Sequence, residues 1–535
     1  MNSAGATGDP RQPPSSPSSV MSVRGSTRQA AILAAAIAVT IAAQIYLWPH
    51  VTDDAYISFR YAFHAASGQG LVFNPGEHVE GFSNPLWTLL LAAVFRGTHI
   101  PLPDLARGIG LLLSIGTLVL LWLAYRRLSP DDNAPLVLAF LFILLAPGFH
   151  VFATAGLEGP LLSFLLVGGI VLTLRGSRLT AAAVFGLAGI TRPEGPLLAL
   201  LWLLATIRPR PSIAEIVKKE LPAFAAMVAP ILCWQVFRLA YYGAWIPNTA
   251  LAKAPGVFAE FISLPDYAAP WIIALGGPAL LLLWFVLPPR EEPIRNLERM
   301  CLAVVGGMTV FVIYAGGDWM TFGRFIEPVW PVIALVFPLW LSDAWKHTAS
   351  TASLRFRKIL PAVPALAIIG CSVIAWYPSV GSYVRNERMT MLMRGTDQIA
   401  VGDWIARNIA PEATIATGRL GGISYAAMNN VVWDWFGLTD AEEAKYIRRR
   451  RPGDLEDDPV FSRKPDVIAA IDAPAQWSYR RTIPFVKYLD SNYVFMMSFP
   501  QGRYGSVDLW LRKDRIDQIL LTRSSFVLPP ASKKP

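Results

Sequence analysis

The most constraining feature of this 535-residue chain is a set of long stretches that contain no Asp, Glu, Lys or Arg. Four of them lie between Arg28 and Asp53, Asp132 and Glu158, Asp266 and Arg290, and Arg299 and Asp318. A helix of about 20 apolar residues is long enough to cross the hydrocarbon core of a bilayer. Only 16% of the residues are charged, against about 25% in a typical soluble protein. The sequence therefore predicts a polytopic α-helical membrane protein.

The apolar stretches predict about eleven transmembrane helices. We place them at 29–49, 105–125, 134–147, 159–174, 178–191, 195–207, 221–240, 269–287, 300–315, 328–342 and 359–377. Several of these are shorter than the ~20 residues of a full span, so their ends are expected to extend into the flanking segments. The shorter apolar segment 85–95 is typical of a helix that lies at the membrane surface or dips into it. Residues 1–28 are rich in Pro, Ser and Gly and are predicted to be a disordered tail.

The distribution of Lys and Arg predicts the orientation of these helices. With a cytoplasmic N-terminus, the inner segments contain seventeen Lys and Arg, whereas the outer loops before residue 378 contain five. Cytoplasmic loops of membrane proteins carry such an excess. We therefore expect a multi-pass protein of the bacterial inner membrane, with a transmembrane module at 29–377 and a first outer loop at 50–104.

The C-terminal segment, 378–535, has the composition of a soluble domain. Short β-like runs occur at Ala413–Thr417, Val431–Phe436 and Asp466–Ile471, between helical stretches. Because eleven spans precede it, this segment is predicted to be an extracytoplasmic α/β domain. We expect it to help select an acceptor, although a structural lid is an alternative.

The first outer loop opens with two adjacent carboxylates, Asp53 and Asp54, and carries Glu80 further along. Carboxylates at a membrane boundary are costly unless they are hydrated, paired or functional. Two carboxylates in close contact push their pKa values apart, which suits one of them as a general base. The other would then bind a hydroxyl or a cation. A solvated helix end with a capping Asp is the alternative interpretation.

The later outer loops carry further charged and aromatic residues: Glu158, Arg192 with Glu194, Lys253, and Asp318 with Trp319 and Arg324. For Glu158 a helix-start charge is an alternative, and Arg192 and Glu194 could instead form a salt bridge with each other. Together the loops place carboxylates, cations and aromatic rings at one membrane face. This is the make-up of a pocket for a sugar and a phosphate.

That pocket assigns the residues to two groups. The predicted sugar or acceptor ligands are Glu80, Glu158, Glu194, Asp318 and Trp319, and the predicted phosphate ligands are Arg192, Arg324 and Lys253. A lipid-linked substrate would explain why such a site lies at a bilayer surface. The chain has no nucleotide-binding motif, and its basic residues are arranged as membrane topology signals, which argues against nucleic acid as a partner. A transporter or flippase of lipid-linked glycans and a non-catalytic envelope assembly protein remain alternatives.

Six sequence blocks resemble a known family. They are DDAYI from Asp53, GLVFNPGEHVEGFSNPLW from Gly70, TAGLE from Thr154, TRPE from Thr191, YYGAWIPNTALAK from Tyr241 and GGDWMTFGRF from Gly316. In this order they resemble GT-C-type glycosyltransferases that use polyprenyl-phosphate sugars, and in particular the cell-wall terminal arabinofuranosyltransferases. The resemblance extends from about residue 29 to 342.

The resemblance implies a glycosyltransferase that moves arabinofuranose or another sugar from a polyprenyl phosphate to an extracytoplasmic glycan, lipid or protein. It implies that Asp53 or Asp54 is the catalytic carboxylate and leaves the choice between them open. It also implies that Arg192 and Arg324 hold the lipid phosphate. Some enzymes of this type use a divalent cation, which Asp53 and Asp54 would hold, and no other cofactor is implied.

Overall fold

The structure is a computed structural model that describes residues 17–207, 212–253, 264–277, 284, 292–318, 320, 322–350, 363–384, 394–448, 458–471, 483–500 and 506–521. The first helix begins at Pro17, inside the segment predicted to be disordered. Proline is well tolerated in the first turn of a helix because the amide it lacks would be unpaired there. The disordered tail at 1–28 stays a prediction, and 1–16 lie outside the described residues.

The described residues before 385 lie mostly in helices. Their bounds are α1 (Pro17–Leu47), α2 (Asp53–Ala66), α3 (Pro85–Thr98), α4 (Leu102–Leu128), α5 (Ala134–Leu144), α6 (Pro147–Thr154), α7 (Gly159–Leu174), α8 (Arg178–Ala188), α9 (Gly195–Thr206), α10 (Ile213–Glu215), α11 (Leu221–Tyr242), α12 (Asn248–Ala252), α13 (Leu264–Ala274), α14 (Glu292–Ala315), α15 (Trp330–Ser350) and α16 (Val363–Val384). A π-helical turn, Ile216–Glu220, continues directly into α11.

Four helical segments among the described residues are long and apolar enough to cross a membrane: Thr27–Leu47, Leu102–Leu128, Ile216–Tyr242 and Glu292–Ala315. The pair α5 and α6, bent by 56°, would make a fifth. Helices α7, α8 and α9 are apolar but shorter, because tight turns at 175–177 and 189–194 interrupt the apolar sequence. A helical membrane protein is thus confirmed, and the number of eleven spans stays a prediction.

The C-terminal segment folds as an α/β domain, as predicted. Its strands are β1 (Thr414–Thr417), β2 (Val431–Asp434), β3 (Val467–Ile471), β4 (Tyr493–Pro500) and β5 (Ser506–Arg512), and they form one sheet in the order β2-β1-β3-β5-β4. The β1 strand is parallel to β2 and β3, whereas β5 is antiparallel to β3 and β4. The three predicted runs correspond to β1, β2 and β3. Its helices are α17 (Arg394–Asn408), α18 (Leu420–Ala426), α19 (Ala441–Arg448), α20 (Pro459–Ser462), α21 (Ile483–Asn492) and α22 (Ile516–Ile519).

The C-terminal domain shares a hydrophobic core with the first loop. Ile57 and Tyr61 of α2 belong to the same buried cluster as Ile415 of β1 and Ile423 of α18. Helix α2 is therefore packed between the membrane module and the C-terminal domain. This placement matters because the two adjacent carboxylates stand at its first turn.

Candidate active site

A charged cluster forms where the first turn of α2 meets the loop before α15. The Nη1 atom of Arg324 donates to Oδ2 of Asp54 at 3.0 Å, and its Nε lies 2.9 Å from Oδ2 of Asp318. The Asp54 side chain is 29% exposed, whereas that of Asp318 is only 3% exposed. Asp54 is thus the solvent-accessible carboxylate of a largely buried triad.

The loop that holds Asp318 and Arg324 has a strained backbone at Phe322, since the positive φ values of its glycines carry no strain. Gly316, Gly317 and Gly323 have φ values of 76°, 90° and 66°, and Phe322 adopts φ 68° although it has a side chain. A Cβ atom at Gly323 would lie 2.3 Å from Nε1 of Trp271, so glycine is required there for space as well. Such strain persists only where the surrounding structure enforces it, and it is concentrated at functional sites.

The electrostatics of the triad follow from burial and pairing. Burial raises the pKa of Asp318, and the guanidinium of Arg324 opposes this shift. Burial alone would lower the pKa of Arg324, but the carboxylates of Asp318 and Asp54 raise it above its ordinary value. Arg324 is therefore a permanent cation that fixes both carboxylates in place.

A second arginine lies close by and is paired with two carboxylates. Arg192 donates from Nη1 to Oε1 of Glu158 at 2.7 Å and from Nε to Oε1 of Glu194 at 2.5 Å, and all three side chains are buried. Glu158 also accepts from the amide of Asn84 at 2.8 Å. The salt-bridge alternative for Arg192 and Glu194 therefore describes the observed geometry.

One aromatic ring connects the two arginines. The guanidinium carbons of Arg192 and Arg324 lie 5.3 Å and 5.2 Å from the centroid of Phe325. A cation at this distance from the centre of an aromatic ring is attracted to the ring face. Phe325 thus holds the two predicted phosphate ligands within one site.

Lys253 follows α12 and lies within electrostatic range of Asp54, Asp318 and Arg324. Its ammonium group has no hydrogen bond or ion pair with the described part of the chain. Within the described ranges, Lys253 thus lacks the ion pairs that the two arginines form. The predicted ligand Trp319 lies outside the described residues.

The two adjacent carboxylates have different partners. Asp53 accepts from the backbone amides of Gly421 at 3.2 Å and Gly422 at 2.8 Å, in the first turn of α18. Burial raises the pKa of Asp53, and the Gly422 amide and the nearby Arg419 oppose that shift. Asp53 therefore binds the C-terminal domain, while Asp54 faces the charged cluster.

Glu80, predicted as a sugar or acceptor ligand, lies apart from this cluster. Its Oε1 accepts from Nη2 of Arg238 in α11 at 3.1 Å, and its side chain is buried. The backbone carbonyl of Glu80 accepts from the amide of Asn248 at 2.9 Å. In this position Glu80 ties the first loop to α11 and α12.

Two arginines at this site are not among the residues predicted from the sequence. Arg60, which is completely buried, donates to the carbonyls of Phe73 and Asn430 at 2.8 Å each and also to that of Ser424. Arg419 stands just before α18, within electrostatic range of Asp53 and Asp54. Arg60 follows Asp53 by seven residues on α2, a spacing of two helical turns that could have indicated one face. No local signal marks Arg419.

The geometry does not favour a metal at the acidic pair. Within the described ranges, no group of three or more His, Cys, Asp or Glu side chains is placed to hold a metal ion. Asp53 and Asp54, the residues that a divalent cation would require, bind different partners. The residues present therefore do not fit a cation shared by the two carboxylates.

Comparison with known sequences identifies relatives for much of the chain. A family model described as a domain of unknown function (DUF8728) matches residues 385–509. A terminal β-(1→2)-arabinofuranosyltransferase of Corynebacterium glutamicum is 28% identical over 338 residues, which cover 54% of this chain and 47% of the relative. The Mycobacterium tuberculosis protein of the same name is 31% identical over 368 residues, 59% of this chain and 57% of the relative. The chain thus spans about half the length of the curated relatives it matches.

Comparison with solved structures identifies the fold. ArnT from Cupriavidus metallidurans, solved with undecaprenyl phosphate, superposes with a TM-score of 0.55 at 13% identity, covering 89% of this chain and 97% of ArnT. The archaeal oligosaccharyltransferase AglB from Archaeoglobus fulgidus, solved with an inhibitory peptide and a dolichol-phosphate, gives 0.52 at 11% identity, covering 90% and 74%. The chain therefore has the GT-C membrane fold, and its predicted resemblance to terminal arabinofuranosyltransferases is confirmed.

Proposed function

We propose that this chain is a membrane glycosyltransferase that transfers arabinofuranose from a polyprenyl-phosphate donor to an extracytoplasmic glycan. The observation that carries the proposal is the cluster around Arg324, which gathers charged side chains from separate loops beside one accessible carboxylate. The sugar is proposed from the two relatives named as arabinofuranosyltransferases. The lipid phosphate is proposed from the two proteins of the same fold that were solved with such lipids.

Asp54 is the proposed general base. A hydroxyl of the acceptor attacks the anomeric carbon of the sugar while the bond from that carbon to the phosphate oxygen breaks. The hydroxyl proton passes to the Asp54 carboxylate, and polyprenyl phosphate leaves with the electron pair of the broken bond. Asp54 suits this role because it is the accessible carboxylate of the cluster, whereas both oxygens of Asp53 are bound by backbone amides.

The cations have separate proposed roles. Arg324 orients Asp54, with Asp318 as its second partner. Lys253, which has no bonded partner in the described ranges, contacts the donor phosphate. Arg192 is a positioning residue because Glu158 and Glu194 occupy its guanidinium. The sequence analysis assigned both Arg192 and Arg324 to the lipid phosphate. In this proposal each arginine instead holds two carboxylates in position.

The proposed topology is the one expected from the sequence: an inner-membrane protein with about eleven spans, a cytoplasmic N-terminus and an extracytoplasmic C-terminal domain. It gains support from the cluster, since Asp54, Glu158, Arg192, Lys253 and Arg324 all come from loops predicted to be outside. Residues from opposite membrane faces could not meet in this way. The C-terminal domain, which binds Asp53 directly, belongs on the same side and is proposed to help select the acceptor.

The proposal is tested with purified enzyme, a polyprenyl-phosphate arabinofuranose donor and a glycan acceptor, with the product followed by mass spectrometry. Asp54→Asn should reduce turnover by roughly 10²–10⁴-fold, as loss of a general base does. It should still bind donor, because asparagine retains the size of the aspartate side chain. Asp53→Asn is the matched variant, and it should loosen the C-terminal domain, as limited proteolysis would reveal. Wild-type turnover in Asp54→Asn would contradict the assignment of the base, and no transfer by wild-type enzyme would contradict the function.

A further inference from the structure

Arg419 lies at the start of the helix that binds the acidic pair. The amides of Gly421 and Gly422, two and three residues later, donate to Asp53 at 3.2 and 2.8 Å. The charge of Arg419 interacts electrostatically with the carboxylates of both Asp53 and Asp54. The C-terminal domain thus brings a cation of its own to the helical turn that carries the proposed base.

Arg419 differs from the other arginines of the site in its ion pairing. Arg324 is paired with two carboxylates, and so is Arg192. Arg419 forms no ion pair with any described residue, and its Nε is buried without a hydrogen-bond partner there. A buried donor without an acceptor costs free energy. Such a donor is therefore expected where the acceptor arrives with a ligand.

The position of Arg419 is fixed by the helix that follows it. Asp53 binds the first turn of α18, and Arg60 binds the carbonyls of Ser424 and Ala427 at the last turn. A Cβ atom at Gly421 would lie 1.8 Å from the carbonyl oxygen of Asp53, so the two backbones are in direct contact. With both ends of α18 held against α2, the backbone of Arg419 stays beside the helical turn that carries Asp53 and Asp54.

We propose that Arg419 binds the phosphate of the polyprenyl donor, together with Lys253. This inference rests on the proposed function and adds to it a phosphate ligand from the C-terminal domain. When the bond to the sugar breaks, the phosphodiester becomes a phosphomonoester and gains negative charge. A cation that is not already neutralised by the protein stabilises that charge most effectively. Among the described residues, Arg419 and Lys253 form no direct ion pair with a carboxylate, although the charge of Asp54 acts on both, whereas Arg324 and Arg192 are each held by two carboxylates.

The experiment measures lipid binding to the full-length protein by native mass spectrometry. The probes are undecaprenyl phosphate and undecaprenol, which lacks the phosphate. Arg419→Ala should weaken binding of undecaprenyl phosphate by roughly 10–100-fold, the range expected for a lost hydrogen bond to a charged group. Binding of undecaprenol should not change, and Arg419→Lys should lose less than Arg419→Ala. The control is Arg407→Ala, an exposed arginine of the same domain, which should bind both lipids like the wild type.

The outcomes separate this inference from the proposed function. Equal binding of undecaprenyl phosphate by Arg419→Ala and wild type overturns the inference alone. A parallel loss of both lipids also overturns it, because the change would then concern the lipid chain and not the phosphate. A phosphate-specific loss supports it even if wild-type enzyme transfers no sugar, in which case only the proposed function fails. Wild-type protein that binds neither lipid contradicts both.

Discussion

Gly421→Ala is the sharpest test of how the two parts of the protein are joined. The added Cβ would lie 1.8 Å from the carbonyl oxygen of Asp53, whereas an ordinary contact begins at 3.4 Å. The atom it meets belongs to the backbone, so no side-chain rotation can relieve the clash. Helix α18 must therefore move away from α2 by about 1.6 Å, the difference between these two distances.

That displacement is large enough to break the attachment. The two amide bonds to Asp53, now 3.2 and 2.8 Å, would exceed 4 Å if the movement were along them. Each hydrogen bond to a charged group contributes about 1.5–3 kcal/mol, so their joint loss costs about 3–6 kcal/mol of docking free energy. A displacement of about 1 Å at a catalytic site can reduce turnover by about 10²-fold, which is the loss we expect.

Two measurements check this prediction on detergent-purified protein. Sugar transfer gives the turnover, and limited proteolysis reports whether the C-terminal domain is released. Gly108→Ala is the control, because a Cβ atom at this helical position in α4 would meet nothing within 4 Å. If Gly421→Ala kept both wild-type turnover and wild-type protease resistance, the proposed coupling between α18 and the acidic pair would be refuted.

Three further substitutions test individual contacts. Arg60→Met should leave the carbonyls of Phe73 and Asn430 buried without this donor, at about 1–3 kcal/mol each, and proteolysis should then release the C-terminal domain more readily. Arg192→Met should destabilise the protein by about 3–5 kcal/mol, because it leaves two buried carboxylates unpaired, and a lower melting temperature would be the readout. Glu80→Gln should lower the melting temperature but keep the turnover of the folded protein, since Glu80 pairs with Arg238 away from the cluster; a selective rise in KM for the acceptor would instead indicate a ligand role.

The fold was largely predictable because membrane insertion leaves a strong signal in the sequence. Charge-free stretches and the asymmetry of Lys and Arg are properties of composition, and they require no knowledge of contacts. Helix ends were harder to predict: the bend of 56° between α5 and α6 depends on local turns that an apolar stretch does not reveal. In the C-terminal domain the β-like runs of β1 to β3 were visible, whereas the β4–β5 hairpin was not identified.

For the site, the sequence predicted which residues belong to it but not how they are paired. Charged residues in separate loops predicted Asp54, Arg324, Asp318 and Lys253 as site residues, and the structure places them close together. Apart from the Arg192–Glu194 salt bridge, which was one of two alternatives, the pairing within the site could not be foreseen, because the same loop residues could bind a ligand or each other. Contacts such as Asp53 with Gly421 span 368 positions, and no local pattern encodes them.

Helix geometry explains why two adjacent carboxylates have different partners. Successive residues on an α-helix are about 100° apart around the axis, so the side chains of Asp53 and Asp54 leave the helix in different directions. At the first turn of α2, one carboxylate turns toward the C-terminal domain and the other toward Arg324. Under the proposed roles, the general base Asp54 and the residue that binds the C-terminal domain, Asp53, lie in the same turn of α2. Separation of α18 would remove the two amides that hold this turn at Asp53, and the neighbouring Asp54 would lose its fixed position. Catalysis by Asp54 therefore requires that the C-terminal domain stays packed against α2, even if that domain never contacts the sugar.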